Sequence, residues 1–321
     1  MTTTAFVFPG QGSQYVGMGQ ALAAASPTAA RIYAEADAAL GEPLSRLAWE
    51  GPEDELNRTE QAQPALLATS MAYLAVLRER AGDARAPIAP AFMAGHSMGQ
   101  YSAMVAAGVI SLADGVRLVR ERGRRMQASG SGRDGAMAAI LGLDDAALPA
   151  LVEQVSAHGI FAIANRNSPG QVVVSGERAA IDAATEIAKG LGAKRALVLP
   201  VSVAAHSPLM AEAAAGMREV LAGVTFHDPE VSLLANADAR PLTTAEACRA
   251  ELVEHLTAGV DWVRAVESMQ AAGVTTFLEV GPGKVLTNLI KRIAPDAAAL
   301  ALDEPAVPDR FAMPTAVPKE S

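Results

Sequence analysis

The stretch AFMAGHSMGQYSAMVAAGV, residues 91–109, decides how the chain is read. Ala91, Phe92, Met93 and Ala94 form a short apolar run that predicts a buried strand, and Tyr101, Met104, Val105 and Gly108 then recur at helical spacing. Between them Gly95-His96-Ser97-Met98-Gly99 places the pattern G-x-S-x-G at a strand–turn–helix junction, the setting of a nucleophile elbow. Side chains at Gly95 and Gly99 are expected to collide with the neighbouring strand and helix. The turn should project Ser97 Oγ outward, with free backbone N–H groups of the following helix aimed at nearby negative charge.

Working outward, Ala5-Phe6-Val7-Phe8 predicts another short buried strand. It is closed by Pro9-Gly10-Gln11-Gly12-Ser13-Gln14, a loop suited to close approach of backbone N–H groups to a ligand. That loop lacks the Lys-Ser/Thr of a phosphate-binding P-loop. Periodicity predicts helices over 19–40 and 62–80, a polar helical turn at 52–57 and a loop at 81–90. Over 111–127 a further helix is expected, with Ser111 as N-cap and Asp114 three positions on. Its arginines at 117, 120, 122, 124 and 125 read mostly as a solvated basic face, with room for one to point back toward the elbow.

The composition changes at Ser129–Gly135. Beyond it strands are expected at 136–141, 161–165, 171–175 and 194–199, with helices at 144–157 and 177–191. That β-α-β-β-α-β order is a ferredoxin-like signature, with Asn167-Ser168-Pro169-Gly170 as the middle hairpin. The main pattern resumes with helices at 207–221, 244–256, 262–272 and 284–293 and strands at 231–235 and 275–280. Residues 1–130 and 204–302 thus form a discontinuous α/β core with a mostly parallel sheet. Residues 131–203 form an inserted α+β subdomain, and 303–321, rich in Pro and Ala, a loosely ordered tail.

The composition sets further bounds. A net charge of −9 over 321 residues argues against a general nucleic-acid binder. The lone Cys248 cannot form an intrachain disulfide, and no spacing suggests a metal site. The N-terminus lacks a signal-peptide pattern and no apolar run reaches the length of a membrane span, about 18 residues. A cytoplasmic protein is expected, with a monomer as the default.

A serine hydroxyl needs an adjacent base. Of the five histidines, His96 flanks Ser97 on the turn and is expected to shape the pocket rather than reach Oγ. His158 and His227 read as surface residues. His206, in Val201-Ser-Val-Ala-Ala-His-Ser-Pro208, falls where the insert rejoins the core, a place where clefts form. Taken alone, a histidine there is a capping or packing residue as often as a base. With no acidic residue near it in sequence, a backbone carbonyl is a candidate to orient it.

Six ordered blocks carry a resemblance: PGQGSQ (9–14), GHSMG (95–99), RGRRMQ (122–127), NSPGQ (167–171), HSPLM (206–210) and EVGPGKVL (279–286). Over most of its length the chain resembles the malonyl-CoA:acyl-carrier-protein transacylases and the related acyltransferase domains of polyketide and fatty-acid synthases. The resemblance implies an α/β-hydrolase-like core with a ferredoxin-like insert. It implies Ser97 as the acylated nucleophile, His206 as general base and acid, and the backbone N–H groups of Gln11 and Met98 as the oxyanion hole. Arg122 is implied to grip the free carboxylate of malonate, with His96 and Asn167 also in the substrate pocket. The carbonyl that holds the histidine falls near His255, ahead of Val260-Asp261-Trp262. The partners implied are malonyl-CoA and a phosphopantetheinylated acyl carrier protein, with no cofactor and no metal. Three positions depart from the family pattern: His255 stands where glutamine is common, Gln100 where glutamate is common, and Met98 for the usual leucine. The competing readings are an acyl hydrolase acting on carrier proteins, a simple esterase and a non-catalytic scaffold. Arg122 speaks against the first, the missing triad acid against the second, and the retained Ser97 and His206 against the third.

Overall fold

Four apolar residues in a row at 5–8 cannot all face one side of a strand. In the computed structural model they form β1 (Thr4–Phe8), from which Phe6 and Phe8 enter one apolar cluster and Ala5 and Val7 another. A strand buried on both faces is the mark of a sheet covered by helices on both sides. The structure describes residues 3–83, 89–130, 134–201 and 203–303.

After β1 the chain runs through α1 (Gln20–Ala25), α2 (Pro27–Leu40), α3 (Leu44–Glu50), α4 (Glu53–Leu56) and α5 (Thr59–Asp83) to β2 (Phe92–Gly95), α6 (Gly99–Ala106) and α7 (Leu112–Gly130). There follow β3 (Gly135–Leu141), α8 (Leu148–Val155), β4 (Phe161–Ser168), β5 (Gln171–Glu177), α9 (Arg178–Gly190) and β6 (Arg195–Val198). The rest comprises α10 (Ala211–Ala222), β7 (Ser232–Leu234), β8 (Pro241–Leu242), α11 (Ala245–Glu254), β9 (Val260–Asp261), α12 (Trp262–Ala271), β10 (Thr276–Glu279), α13 (Val285–Ile293) and β11 (Ala298–Ala301).

Two sheets result. The six-stranded sheet has the order β11-β10-β1-β2-β7-β8 and is parallel except for the β7–β8 edge. The other has the order β6-β3-β5-β4-β9, antiparallel except where β9 joins β4 in parallel. Ala136, Ala138, Ile140, Val172 and Val174 form one face of this second sheet. They pack against Leu148, Leu151 and Val155 of α8 and Ala180, Ile181 and Ala184 of α9, a separate apolar core. Among the described residues no helix is long and apolar enough to cross a membrane.

Several boundaries differ from the sequence expectations for identifiable reasons. The helix expected over 19–40 is two helices. Ser26 is extended and its Oγ accepts from Ala29 N, while Pro27, which has no N–H to continue α1, starts α2. The hairpin placed at 167–170 is tighter: Asn167 and Ser168 belong to β4, leaving Pro169-Gly170 as the turn, with Gly170 at φ 69°. Helix α3 and strands β8, β9 and β11 carry no pattern strong enough to read. The helix over 111–127 extends to Gly130, and its capping box forms, Ser111 Oγ accepting from Asp114 N and donating to Asp114 Oδ2. Asp303, assigned to the loose tail, is anchored instead. Its carboxylate accepts from the hydroxyls of Tyr15 and Tyr73 and from Gly283 N. The remainder of that tail, 304–321, lies outside the described residues.

Two close approaches set the elbow. A Cβ on Gly95 would sit 2.0 Å from the carbonyl carbon of Gly99, and one on Gly99 would sit 2.2 Å from the carbonyl oxygen of Phe8. The start of α6 is thus pressed against the ends of β1 and β2. Gly99→Ala should therefore lower stability by about 1–3 kcal/mol through overpacking. Gly190→Ala, in α9 with open space around it, should raise stability by about 0.5–1 kcal/mol. Calorimetric unfolding of the two variants checks the pair, and a neutral Gly99→Ala would contradict the packing argument.

Candidate active site

Ser97 occupies the turn between β2 and α6 at φ 53°, a left-handed conformation that a residue with a side chain adopts at a cost. Neighbouring groups hold it there. Ser97 N donates to Asn236 Oδ1 at 2.8 Å, and Asn236 Nδ2 donates to Gly95 O at 3.1 Å, so one amide clamps both sides of the turn. Gln100 Oε1 accepts from Gly95 N at 3.2 Å and its Nε2 donates to Leu234 O at 2.9 Å, tying β2 to β7. A carboxylate at 100 could make the first bond but not the second.

His206 also has a positive φ, 58°, and is only 3% exposed. Its Nδ1 lies 2.7 Å from His255 O and 3.1 Å from Ala258 O. Two carbonyls can only accept, so Nδ1 carries the proton and Nε2 presents its lone pair. That lone pair meets Ser97 Oγ at 2.8 Å, in position to accept the hydroxyl proton. Burial, with the nearby Arg122 charge as the next cause, pushes the His206 pKa down to about 3, so the imidazole is neutral at neutral pH.

Arg122 reaches the same point from α7, which packs closely on α5. A Cβ on Gly123 would lie 2.6 Å from Glu60 Cα. The Arg122 side chain is 1% exposed. Nη2 donates to Ser97 Oγ at 3.1 Å and Nη1 to Gln63 Oε1 at 2.9 Å, while the guanidinium lies 5.9 Å from the Tyr101 ring centre. Burial lowers its pKa to about 10, which leaves it charged at neutral pH. Among the described residues no carboxylate pairs with it. The sequence reading left room for one of these arginines to turn toward the elbow, as Arg122 does; it is corrected at Arg120, which is buried and paired with Glu42.

Of the remaining sequence-predicted residues, Gln11, His96, Met98 and His255 adjoin the site, while Asn167 reaches it only through His96 and Asn165 is the β4 asparagine that lines the cleft. His96 Nε2 lies 2.9 Å from Asn167 Oδ1, so the ring bridges the elbow and β4 rather than turning to Ser97 Oγ, and it packs edge-on to Trp262 at 5.7 Å. The backbone N–H groups of Gln11 and Met98 donate to no acceptor among the described residues, whereas Ser97 N is occupied by Asn236. His255 contributes its carbonyl, and its buried ring nitrogens make no hydrogen bond among the described residues. His158 and His227 are exposed on the surface. A cleft of about 430 Å³ opens over Ser97, with Gln11, His96, Arg122 and His206 in its walls and Met126, Met137 and Val203 as its apolar lining. No group of three or more His, Cys, Asp or Glu among the described residues is arranged to hold a metal.

Three residues escaped the sequence reading: Asn236, Gln63 and Glu251. Asn236 lies two residues past β7, beyond the carboxyl end of a parallel strand where ligand-site residues gather. That position was a usable signal. Gln63 looked like an ordinary polar helix residue. Glu251 is 1% exposed, accepts from Asn236 N at 2.7 Å and has its pKa raised to about 7 by burial.

With this geometry in place, the chain can be set beside known proteins. It is 49% identical over 305 residues to the malonyl CoA-acyl carrier protein transacylase of Escherichia coli strain K12, covering 95% of this chain and 97% of that protein. The crystal structure of an acyl-carrier-protein S-malonyltransferase from Bartonella henselae superposes with a TM-score of 0.91 at 42% identity, covering 96% of this chain and 98% of that one. A malonyl-transacylase solved in complex with its holo type II polyketide-synthase acyl-carrier protein gives a TM-score of 0.91 at 43% identity, over 97% and 99% of the two chains. The family model for the acyl transferase domain matches residues 5–302, and the chain belongs to that family.

Proposed function

We propose that this protein transfers a malonyl group from malonyl-CoA to the phosphopantetheine thiol of an acyl carrier protein through a malonyl-serine at Ser97. The observation that carries the substrate assignment is Arg122: a buried, charged guanidinium one hydrogen bond from the nucleophile, with no carboxylate partner among the described residues. Leaving a cation buried without a counter-charge costs several kcal/mol. An acyl group ending in a free carboxylate supplies that counter-charge through two parallel hydrogen bonds.

The steps follow from the geometry. Ser97 Oγ attacks the thioester carbon as His206 Nε2 takes its proton, and the His255 carbonyl stabilises the imidazolium through Nδ1–H. Charge on the tetrahedral oxygen is met by the Gln11 and Met98 N–H groups, each worth about 3 kcal/mol. CoA leaves as its thiol after His206 returns the proton, and the carrier-protein thiol then attacks the malonyl-serine by the reverse path. Met126, Met137 and Val203 limit the water that competes for the acyl-enzyme.

The same reading extends to the architecture. Residues 1–130 and 204–302 act as an α/β-hydrolase-like core that carries Ser97, Arg122 and His206. Residues 131–203 are a ferredoxin-like subdomain that roofs the cleft through β3, β4 and the segment after β6. The strand order β6-β3-β5-β4 with α8 and α9 on one face supports the latter.

Intact-protein mass spectrometry after brief mixing with malonyl-CoA tests the proposal, with Ser97→Ala as control. A malonyl adduct on the wild type alone, discharged by a phosphopantetheinylated carrier protein, is expected. Free malonate and CoA without a dischargeable adduct would make the protein a hydrolase. Arg122→Ala should cut malonyl transfer by about 100-fold while acetyl transfer holds or rises. Equal losses for both acyl groups would refute the carboxylate role. Because the neutral imidazole is the active form and its pKa is lowered, kcat/KM for malonyl-pantetheine should stay within about twofold from pH 7 down to pH 5. An acid limb near pH 6.5 would contradict the buried, neutral base.

A further inference from the structure

Glu251 is a buried carboxylate that the mechanism does not use, and its contacts lead to both members of the reacting pair. From α11, Glu251 Oε1 accepts from Asn236 N at 2.7 Å, and Asn236 in turn grips Ser97 N and Gly95 O with its side-chain amide. One helical turn on, at the end of the same helix, the His255 carbonyl holds His206 Nδ1 at 2.7 Å. Glu251 Oε1 also stands 4.0 Å from His255 Nδ1, and Oε2 is 3.6 Å from Arg240 Nη2. The side chain of Arg240 is further paired with Asp238 and Glu254.

We propose that Glu251 is a positioning residue for the Ser97–His206 pair, holding Asn236 so that α11 fixes the nucleophile's turn and the base's carbonyl anchor as one unit. A serine at φ 53° relaxes unless its surroundings over-determine the turn. The Asn236 amide is the group that does so at both Gly95 and Ser97. It lies in the turn past β7, where its carbonyl accepts from Asp261 N of β9 at 2.8 Å and its N–H is held by the Glu251 acceptor, so Glu251 fixes the donor side of that peptide. Releasing that acceptor lets the turn shift relative to His206, and a displacement of the order of 1 Å between reacting groups costs up to about 100-fold in rate. The role needs an acceptor at Oε1 rather than a negative charge, so glutamine suffices there.

This inference rests on the reading of Ser97 as nucleophile, and two probes separate the failure of one from the failure of the other. The first is the rate of malonyl-serine formation from malonyl-CoA by rapid quench. The second is labelling of Ser97 by a fluorophosphonate, which needs an activated serine but no carboxylate. Glu251→Ala should slow both by about 10- to 100-fold per folded molecule, with the KM for malonyl-CoA little changed. Glu251→Gln should restore most of the rate. Asn236→Ala should be impaired to a similar degree, and adding Glu251→Ala to it should cost nothing more, because both act through one contact. A Glu251→Ala protein that unfolds at lower temperature yet labels at the wild-type rate would overturn the positioning role. So would additive losses in the double variant, or a Glu251→Gln as slow as Glu251→Ala. Normal fluorophosphonate labelling of the wild type without a malonyl adduct would instead strike at the substrate assignment.

Discussion

The structure depends on a contact that has no room for a methyl group. Where Gly95 and Gly99 bring the first turn of α6 against the ends of β1 and β2, an added Cβ at either would fall about 2 Å from backbone atoms. That compression forces the intervening residue into a left-handed turn and lifts Ser97 off the sheet. A turn of this kind does not hold itself, since the conformation is unfavourable for a residue with a side chain. Asn236, just past β7, and Gln100, which reaches from α6 to Leu234 of β7, supply the restraint along the strand next to β2. The sheet order is therefore part of the site: β1 delivers the Gln11 loop, β2 delivers Ser97, and β7 delivers the clamp.

Electrostatics then decides what such a serine can accept. Arg122 and His206 converge on one hydroxyl oxygen, and the cation helps to push the imidazole pKa down to about 3. In the resting site one group is charged and the other neutral. Proton transfer to His206 would place two cations side by side in a buried cleft unless a negative charge arrives with the substrate. On the role proposed for Arg122, a carboxylate on the acyl group would cancel the guanidinium before the imidazolium forms, favouring binding and easing the proton transfer. An acyl group without that charge leaves the repulsion in place. On that proposal, selectivity for a dicarboxylic acyl group and competence of the base share one physical origin.

The sequence carried the elbow because its constraints are local: two glycines around a serine, a strand before and a helix after. The β-α-β-β-α-β order of the second sheet was legible for the same reason, from periodicity alone. The ordered motif blocks brought His206, Arg122, Gln11 and Asn167 to the site across long sequence separations. Gln63 and Glu251 have roles made entirely by tertiary contacts, and Asn236 offers only its place past a parallel strand as a signal. Each is an unremarkable polar residue in sequence, and only burial turns it into a clamp or a brace. Strand β11 was missed because Ala298-Ala-Leu-Ala has little strand preference of its own and is held by pairing with β10. The break at Ser26-Pro27 is legible in capping chemistry, although the apolar period runs on through it.

That His206 Nδ1 meets carbonyls and no carboxylate among the described residues is a consequence of the same design. A carboxylate at Nδ1 would raise the imidazole pKa, whereas two main-chain carbonyls fix its tautomer and orientation without adding charge. Main-chain acceptors also free the residue that bears them. The His255 ring makes no hydrogen bond among the described residues, which is why a histidine can stand where a glutamine is common without disturbing the anchor. What position 255 must preserve is the path of the backbone at the end of α11. That path is set by the helix and by its contact with Asn236 through Glu251, so the precision of the Ser97–His206 pair is a property of how α11 seats on β7 and the elbow.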